Sequence, residues 1–269
     1  MDRFRLKNII ILILVLVNVS LLGSLAIRER AEYSARRRTS EQLVALFAAD
    51  GISLDPDIIS TEVPPASRSL TRDTALDQKA AAFLLGRILS LSDKGGGIYD
   101  YTSAVGTATF RSNGTFDAAS LQGPLAKADA LDLCRDFCRK FSYSDPVFQL
   151  DENGTGKATA TPLCGKLPVS NCSVDFTFSE GALIAVSGTL LPGNYVELSS
   201  EIPPLSASAA LITFQEETFA VISAVTDIYL CYELQNPTPS SITLTPSWCI
   251  VTDTAKYYVN CETGNITTN

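Results

Sequence analysis

The sequence contains no histidine. Histidine is the usual general base near neutral pH and the commonest metal ligand. Its absence excludes a Ser-His-Asp triad, a Cys-His pair and any zinc site that needs imidazole. Acid/base chemistry by carboxylates, or a Ser-Lys pair, is what remains open to an enzyme here. The seven cysteines, Cys134, Cys138, Cys164, Cys172, Cys231, Cys249 and Cys261, form no CxxC pair. That argues against zinc ribbons and thioredoxin-like redox chemistry, and the odd number excludes complete intramolecular pairing. Positive charge is scarce beyond the first 38 residues. Residues 1–38 carry eight Lys/Arg against three Asp/Glu, and residues 39–269 carry thirteen against twenty-six. No basic stripe is left to track phosphates, which argues against nucleic-acid binding. No motif implies a cofactor or a metal.

What is present begins with an apolar run from Ile9 to Ile27 behind Arg3, Arg5 and Lys7. As a helix it approaches the ~30 Å thickness of a bilayer core. Ser24-Leu25-Ala26 has the small residues a signal peptidase prefers, so a cleaved signal peptide competes with a retained anchor. The length of the run and the arginines after it favour retention. Arg28, Arg30 and the Arg36–Arg38 cluster mean that flanking charge alone does not orient the segment. Asn18 lies mid-span, where a carboxamide is costly without a partner. It reads as a helix–helix contact, with Gly23 and Ser24 supplying a small surface for a second helix. The competing reading is a bond within its own helix or to water at a thinned interface.

Residues 28–49 read as a helical stalk ended by Asp50-Gly51. Val63-Pro64-Pro65 marks a linker. Helical spacing runs from Thr74 to Ser92, and Lys94-Gly95-Gly96-Gly97 reads as a connector. Ser112-Asn113-Gly114 between two strand-like runs, the second reaching Leu121, is a hairpin signal. A helix is next expected at Ala126–Phe141, with Leu131, Cys134, Cys138 and Phe141 on one stripe. Strand-like runs then cover 147–150, 156–162, 173–178, 183–190 and 195–198. A helix is expected over Ser208–Phe219, and strands at 225–234, 242–252 and 256–261. This is an α+β arrangement: one N-terminal transmembrane helix, then antiparallel sheets packed with helices in two similar subdomains. The boundaries read 1–8 for the N-terminus, 9–27 for the membrane helix, 28–72 for stalk and linker, and 73–144 and 145–269 for the subdomains.

Other motifs resolve to structure. Gly154-Thr155-Gly156-Lys157 lacks the rest of a phosphate-binding loop and reads as a hairpin turn. Asp50, Asp55 and Asp57 lack the glycine and glutamate of an EF-hand loop. Asp73 and Asp77 suit a helix N-terminus. A Cys249–Cys261 bridge is conceivable across a terminal hairpin. Trp248, Tyr257 and Tyr258 are the most concentrated aromatics, either sheet core or a protein interface. By alternation Trp248 and Ile250 share one face, and Tyr257 and Val259 form another set.

Several short stretches stand out together: Leu6-Lys7-Asn8-Ile9-Ile10 with Asn18, Leu43 with Asp50-Gly51-Ile52-Ser53-Leu54, and Phe83-Leu84-Leu85-Gly86. The fullest are Pro246-Ser247-Trp248 and Tyr257-Tyr258-Val259-Asn260 with Thr263-Gly264. Together they resemble the YycI/YycH-type two-component regulatory proteins of Gram-positive bacteria. The closing hairpin is also similar to the last strands of PepSY-type domains. The resemblance implies a cytoplasmic N-terminus, one membrane helix and an extracytoplasmic domain without catalytic residues. It also implies association with a sensor histidine kinase, alongside a paralogous regulator, through membrane helices and the exposed domain. A PepSY-like binding or inhibitory module without a kinase partner, and a histidine-free hydrolase, are the competing functional readings.

Overall fold

In the computed structural model, residues 3–119, 127–200, 202–218, 221–238 and 241–268 are described, apart from the side chains of residues 3–12, 19, 25–33, 36, 127–128, 236–238 and 241. Residues 120, 121, 126 and 219, which the sequence assigned to elements, lie outside that set.

Helix α1 (Arg3–Ala49) joins the expected membrane segment and stalk without a break. It ends where Gly51 takes φ 77°, a left-handed conformation that glycine adopts without steric cost. The amide of Ile52 then bonds the Phe47 carbonyl at 2.9 Å. Among the described residues, no helix is long and apolar enough to cross a membrane. The described apolar side chains reach only from Ile13 to Ser24, about 18 Å of helix rise against the ~30 Å needed. The side chains at 9–12, 19 and 25–27 that complete the expected span lie outside the described residues.

Beyond α1 come β1 (Ser53–Leu54) and β2 (Arg68–Leu70), then α2 (Thr74–Leu85), whose N-cap Asp73 accepts from the Ala75 amide. The helix expected as far as Ser92 stops at Leu85. Gly86 adopts φ 68° there, and β3 (Ile88–Gly95) begins instead. Ile88 and Leu91 fit a helical stripe as well as a strand, and spacing could not separate the two. The glycines after Lys94 turn β3 into β4 (Ile98–Ser103), so the supposed connector is a hairpin turn. Strands β5 (Thr107–Phe110) and β6 (Thr115–Ala119) form the Asn-Gly hairpin read from the sequence. Helix α3 (Lys127–Lys140) comes next. It buries Ala130, Cys134, Phe137, Cys138 and, just past its end, Phe141, while Leu131 is only partly covered.

The chain continues through β7 (Val147–Leu150), β8 (Gly156–Ala160), β9 (Leu163–Cys164), β10 (Leu167–Pro168), β11 (Val174–Ser179), β12 (Ala182–Thr189) and β13 (Tyr195–Glu197). Asp151–Gly154 turns β7 into β8. Helix α4 (Ala207–Glu217), capped by Ser206, precedes β14 (Ala224–Thr238), β15 (Ser241–Thr252), β16 (Lys256–Asn260) and β17 (Ile266–Thr268).

Two main sheets result. The first has eight strands in the order β3-β4-β5-β6-β12-β11-β8-β7. One face carries Tyr101, Phe110, Phe116, Phe176 and Phe178 under α2 and α3. The other carries residues such as Thr109, Asp117, Asp175 and Thr159. The second sheet has seven strands, β1-β14-β15-β16-β17 with β2 and β13 joined through β15. Its core face holds Trp248, Ile250 and Val259 against α4 and the last turns of α1. Mixed α+β architecture with antiparallel sheets is therefore as expected. The division at residue 145 is not, because the eight-stranded sheet takes strands from both sides of it. Direct pairing of β6 with β12 closes that gap, and no local signal announces a pairing between strands so distant in sequence.

All seven cysteines are free. Cys249 packs with Cys231 and Tyr258 on one face of the second sheet, whereas Cys261 lies with Trp248 on the other. The conceivable Cys249–Cys261 bridge would have to pass through the sheet. Tyr257 and Val259 also correct the expected partition. They are register partners of Ile250 and Trp248 and share their face.

Candidate functional site

Helix α1 and the floor of the domain beside it form the candidate site. The apolar stretch of α1 lies bare: Ile13, Leu14, Val15, Leu16, Val17, Leu21 and Leu22 are all exposed. Asn18 donates from Nδ2 to the Leu14 carbonyl at 2.8 Å, the in-helix bond of the two readings offered for it. A carboxamide also carries a second N–H and an acceptor oxygen, so this bond leaves capacity for a partner. Ser24 Oγ donates to the Leu21 carbonyl at 2.8 Å. A Cβ added at Gly23 would meet nothing within 4 Å.

These three residues do not share one surface. At about 100° per residue, Gly23 stands roughly 140° and Ser24 roughly 120° from Asn18, on opposite sides of the helix. The sequence reading placed them together because they are close in number. One packed helix that meets Asn18 leaves the other two aside.

Further along α1 the environment changes. Leu43 and Phe47 are 3% and 0% exposed and enter the core beside Leu211, Phe214 and Trp248. Just before that weld, Ala35, Thr39 and Ser40 form one wall of a groove of about 560 Å³. Its opposite walls are the linker from Ile59 to Pro64 and the segment containing Pro203 and Pro204. An adjoining groove of about 600 Å³ adds Arg37, Glu41 and Asp57. Val63 on the rim is 80% exposed.

The aromatic candidates are core. Trp248, Tyr257 and Tyr258 are 0%, 7% and 5% exposed. Trp248 Nε1 donates to the Leu205 carbonyl at 2.8 Å, which holds the segment before α4 against β15. None of the three offers a surface to a partner.

Two arginine clusters escaped the sequence reading. Arg68 Nη1 stands 3.1 Å from Cys164 Sγ and Nη2 lies 3.4 Å from Glu197. The Arg68 guanidinium sits 4.0 Å from the Tyr195 ring centre and 5.4 Å from that of Tyr232. Its buried Nε has no hydrogen-bond partner among the described residues. A cavity of about 200 Å³ beside Cys164 and Tyr195 is lined also by Lys140 and by Ser142, whose φ is 59°. Arg72 pairs with Asp77 at 2.7 Å, donates to the Gly97 carbonyl, and lies over Tyr99. Burial pushes the Asp77 carboxyl up, and the hydrogen bond and charge of Arg72 oppose the shift. Partners far apart in sequence leave no local signature for such clusters.

Six of the seven thiols are poorly disposed to chemistry. Burial pushes Cys134, Cys138 and Cys261 up to about 12 and Cys172 up to about 11. Cys231 and Cys249 rise for the same reason. Among the described residues, no group of three or more His, Cys, Asp or Glu could hold a metal ion.

No family model matches the sequence, and no curated protein matches it. Solved structures that resemble the chain partially include the following three. One is an uncharacterised protein from Eubacterium rectale ATCC 33656, at 12% identity over 81% of this chain and 85% of that chain, with a TM-score of 0.43. Another is the Bacillus megaterium YpeB C-terminal domain, at 14% identity over 74% of this chain and 98% of that domain, TM-score 0.34. The third is YycH from Bacillus subtilis, at 12% identity over 78% of this chain and 55% of that chain, TM-score 0.37. Likeness of this degree decides neither family nor activity.

Proposed function

We propose that this chain is a membrane-anchored regulatory protein, not an enzyme, that associates with a sensor histidine kinase of a two-component system and adjusts its output. The observation that carries the reading is the continuity of α1. One helix leads from an exposed apolar stretch to Leu43 and Phe47 in the core of the second sheet. Exposed apolar helix surface is costly in water and is satisfied by lipid or by another helix. A helix fixed at its far end into a folded core transmits displacement in either direction. The sequence resemblance to YycI/YycH-type proteins supplies the kinase, the cytoplasmic N-terminus and the extracytoplasmic placement of the domain. The lack of histidine and the burial of most thiols support a role without catalysis.

Co-purification tests the association. The full chain in mild detergent is expected to retain a sensor kinase, and Asn18→Leu is expected to weaken that retention severalfold. Equal recovery of the kinase by a 39–269 fragment would remove the membrane contact from the reading. A second reading, an extracytoplasmic binding module without a kinase partner, draws on the groove between α1 and the linker. It predicts retention of a ligand by the full chain, loss of that ligand when the groove residue Val63 is made charged, and no kinase with either form.

A further inference from the structure

Asn18 shares its face of α1 with the residues that dock the domain. At 3.6 residues per turn, Leu43 stands about seven turns beyond Asn18 and within roughly 20° of its azimuth. Phe47 lies one turn further, offset by a similar angle to the other side. Leu43 and Phe47 are where α1 enters the core of the second sheet. The domain therefore overhangs Asn18 at a height of about 37 Å. Beneath the overhang lie the two adjoining grooves, opened by Ala35, Thr39 and Ser40 of α1. Ala35 is only about 12 Å of helix rise past Ile27, the end of the apolar run.

This arrangement limits what can pack on Asn18. A helix running beside α1 on that face meets the floor of the domain at the level of the grooves. A crossing angle of about 20° displaces its axis by only about 13 Å over the available height, less than a domain radius of roughly 20 Å. A second copy in parallel at so shallow a crossing is thereby excluded from this face, since its own α1 continues unbroken to Ala49. The helix that meets Asn18 must end, or turn, below the domain.

The grooves have the chemistry to receive the stretch of chain that leaves the end of such a helix. Ile59, Val63, Pro64, Pro203 and Pro204 make the lining apolar, and Glu41, Asp57 and Glu62 add carboxylates. The cation among the lining residues, Arg37, is bonded to Glu41 at 3.0 Å. Asp57 and Glu62 have no ion-pair partner among the described residues. We infer that the groove between α1 and the 59–64 linker binds the apolar, basic segment directly after a membrane span of the partner kinase. The inference rests on the association proposed above and locates its second contact.

Photocrosslinking of the full chain in membranes tests it. p-Benzoylphenylalanine is placed at Val63, which is 80% exposed, or at Leu22, which is 69% exposed and one turn from Asn18. Adducts are mapped to peptides by mass spectrometry. Both sites are expected to join the same kinase, with the Val63 adduct on the segment next to the end of a span. Asp57→Lys with Glu62→Lys is expected to cut the Val63 adduct severalfold and leave the Leu22 adduct in place. A kinase adduct from Leu22 alone would overturn the groove assignment and leave the association standing. A Val63 adduct on a soluble protein or on a distal kinase domain would overturn it as well. An adduct between two copies at Leu22 would overturn the steric argument, and absence of kinase adducts at both sites would remove the association itself.

Discussion

The ring of Phe214 in α4 meets the ring of Tyr257 in β16 nearly edge-on, 4.9 Å between centroids and 60° between planes. The contact joins α4 to the strand opposite Ile250 and closes the core around Trp248. Edge-to-face pairs contribute about 1 kcal/mol beyond their buried area, and truncating a large buried aromatic to alanine costs about 3–5 kcal/mol. Tyr257→Ala and Trp248→Ala are each expected to lower unfolding free energy by about 3 kcal/mol in urea titrations. A surface role would give a change below about 0.5 kcal/mol, and such a result for either variant would contradict the core assignment.

The weld between α1 and the domain is testable in the same way. Phe47 is fully buried while its neighbour Leu46 is 39% exposed. Phe47→Ala is expected to destabilise the domain by about 3 kcal/mol, and Leu46→Ala by under about 1 kcal/mol. Under the function proposed above, Phe47→Ala should separate anchoring from regulation, leaving the protein in the membrane fraction while kinase output returns to the level of a deletion. Unchanged stability on Phe47→Ala would mean that α1 is not fixed into the domain.

Much of this architecture could be read from local pattern. Asn113-Gly114 marked its hairpin because a tight turn needs residues that tolerate unusual backbone angles. Asp50-Gly51 marked the end of α1 for the same reason. The Cys134–Phe141 stripe was legible from helical spacing. What failed depended on distance. Pairing of β6 with β12 joins segments that the sequence assigned to separate subdomains. Ile88 and Leu91 suit either a helix or a strand until Gly86 is seen in a left-handed conformation. The site divides similarly. Asn18 stood out as a polar residue in an apolar run, but its alignment with Leu43 needs the helix to be continuous. The groove draws its walls from three separate segments, and Arg68 finds Cys164, Glu197 and Tyr195 only after folding.

Burial sets the order of thiol labelling. A thiol pushed up to about 12, as Cys134, Cys138 and Cys261 are, has a negligible thiolate fraction near neutral pH, and only the thiolate attacks. Cys172, at about 11, is nearly as inert. Cys164 is half-buried on β9 and lies 3.1 Å from the Arg68 guanidinium. In native protein an aromatic disulfide reagent is expected to label Cys164 first, ahead of the buried thiols. All seven should label together in urea. Fast native labelling of Cys134 or Cys231 would contradict the burial described for them.

Asp77 and Asp253 should give opposite pH dependences. Burial raises the Asp77 carboxyl above its ordinary value of 3.8, against the pull of Arg72. The native state then holds that proton more tightly than the unfolded chain does. The stability Asp77 contributes is fully present below pH 3.8 and is lost as pH rises through the raised value. Asp253 is the reverse case. Its carboxylate accepts from the Ser223 amide at 3.1 Å and the Ala224 amide at 3.4 Å, and these bonds hold it below 3.8. Its contribution is present above pH 3.8 and is lost as pH falls through the lowered value. Relative to wild type, Asp77→Asn should therefore gain stability as pH rises above 3.8, whereas Asp253→Asn should gain it as pH falls below 3.8. Urea midpoints measured on either side of that value for both variants separate the two effects. A shared sign would show that at least one carboxylate is in a different environment from the one described.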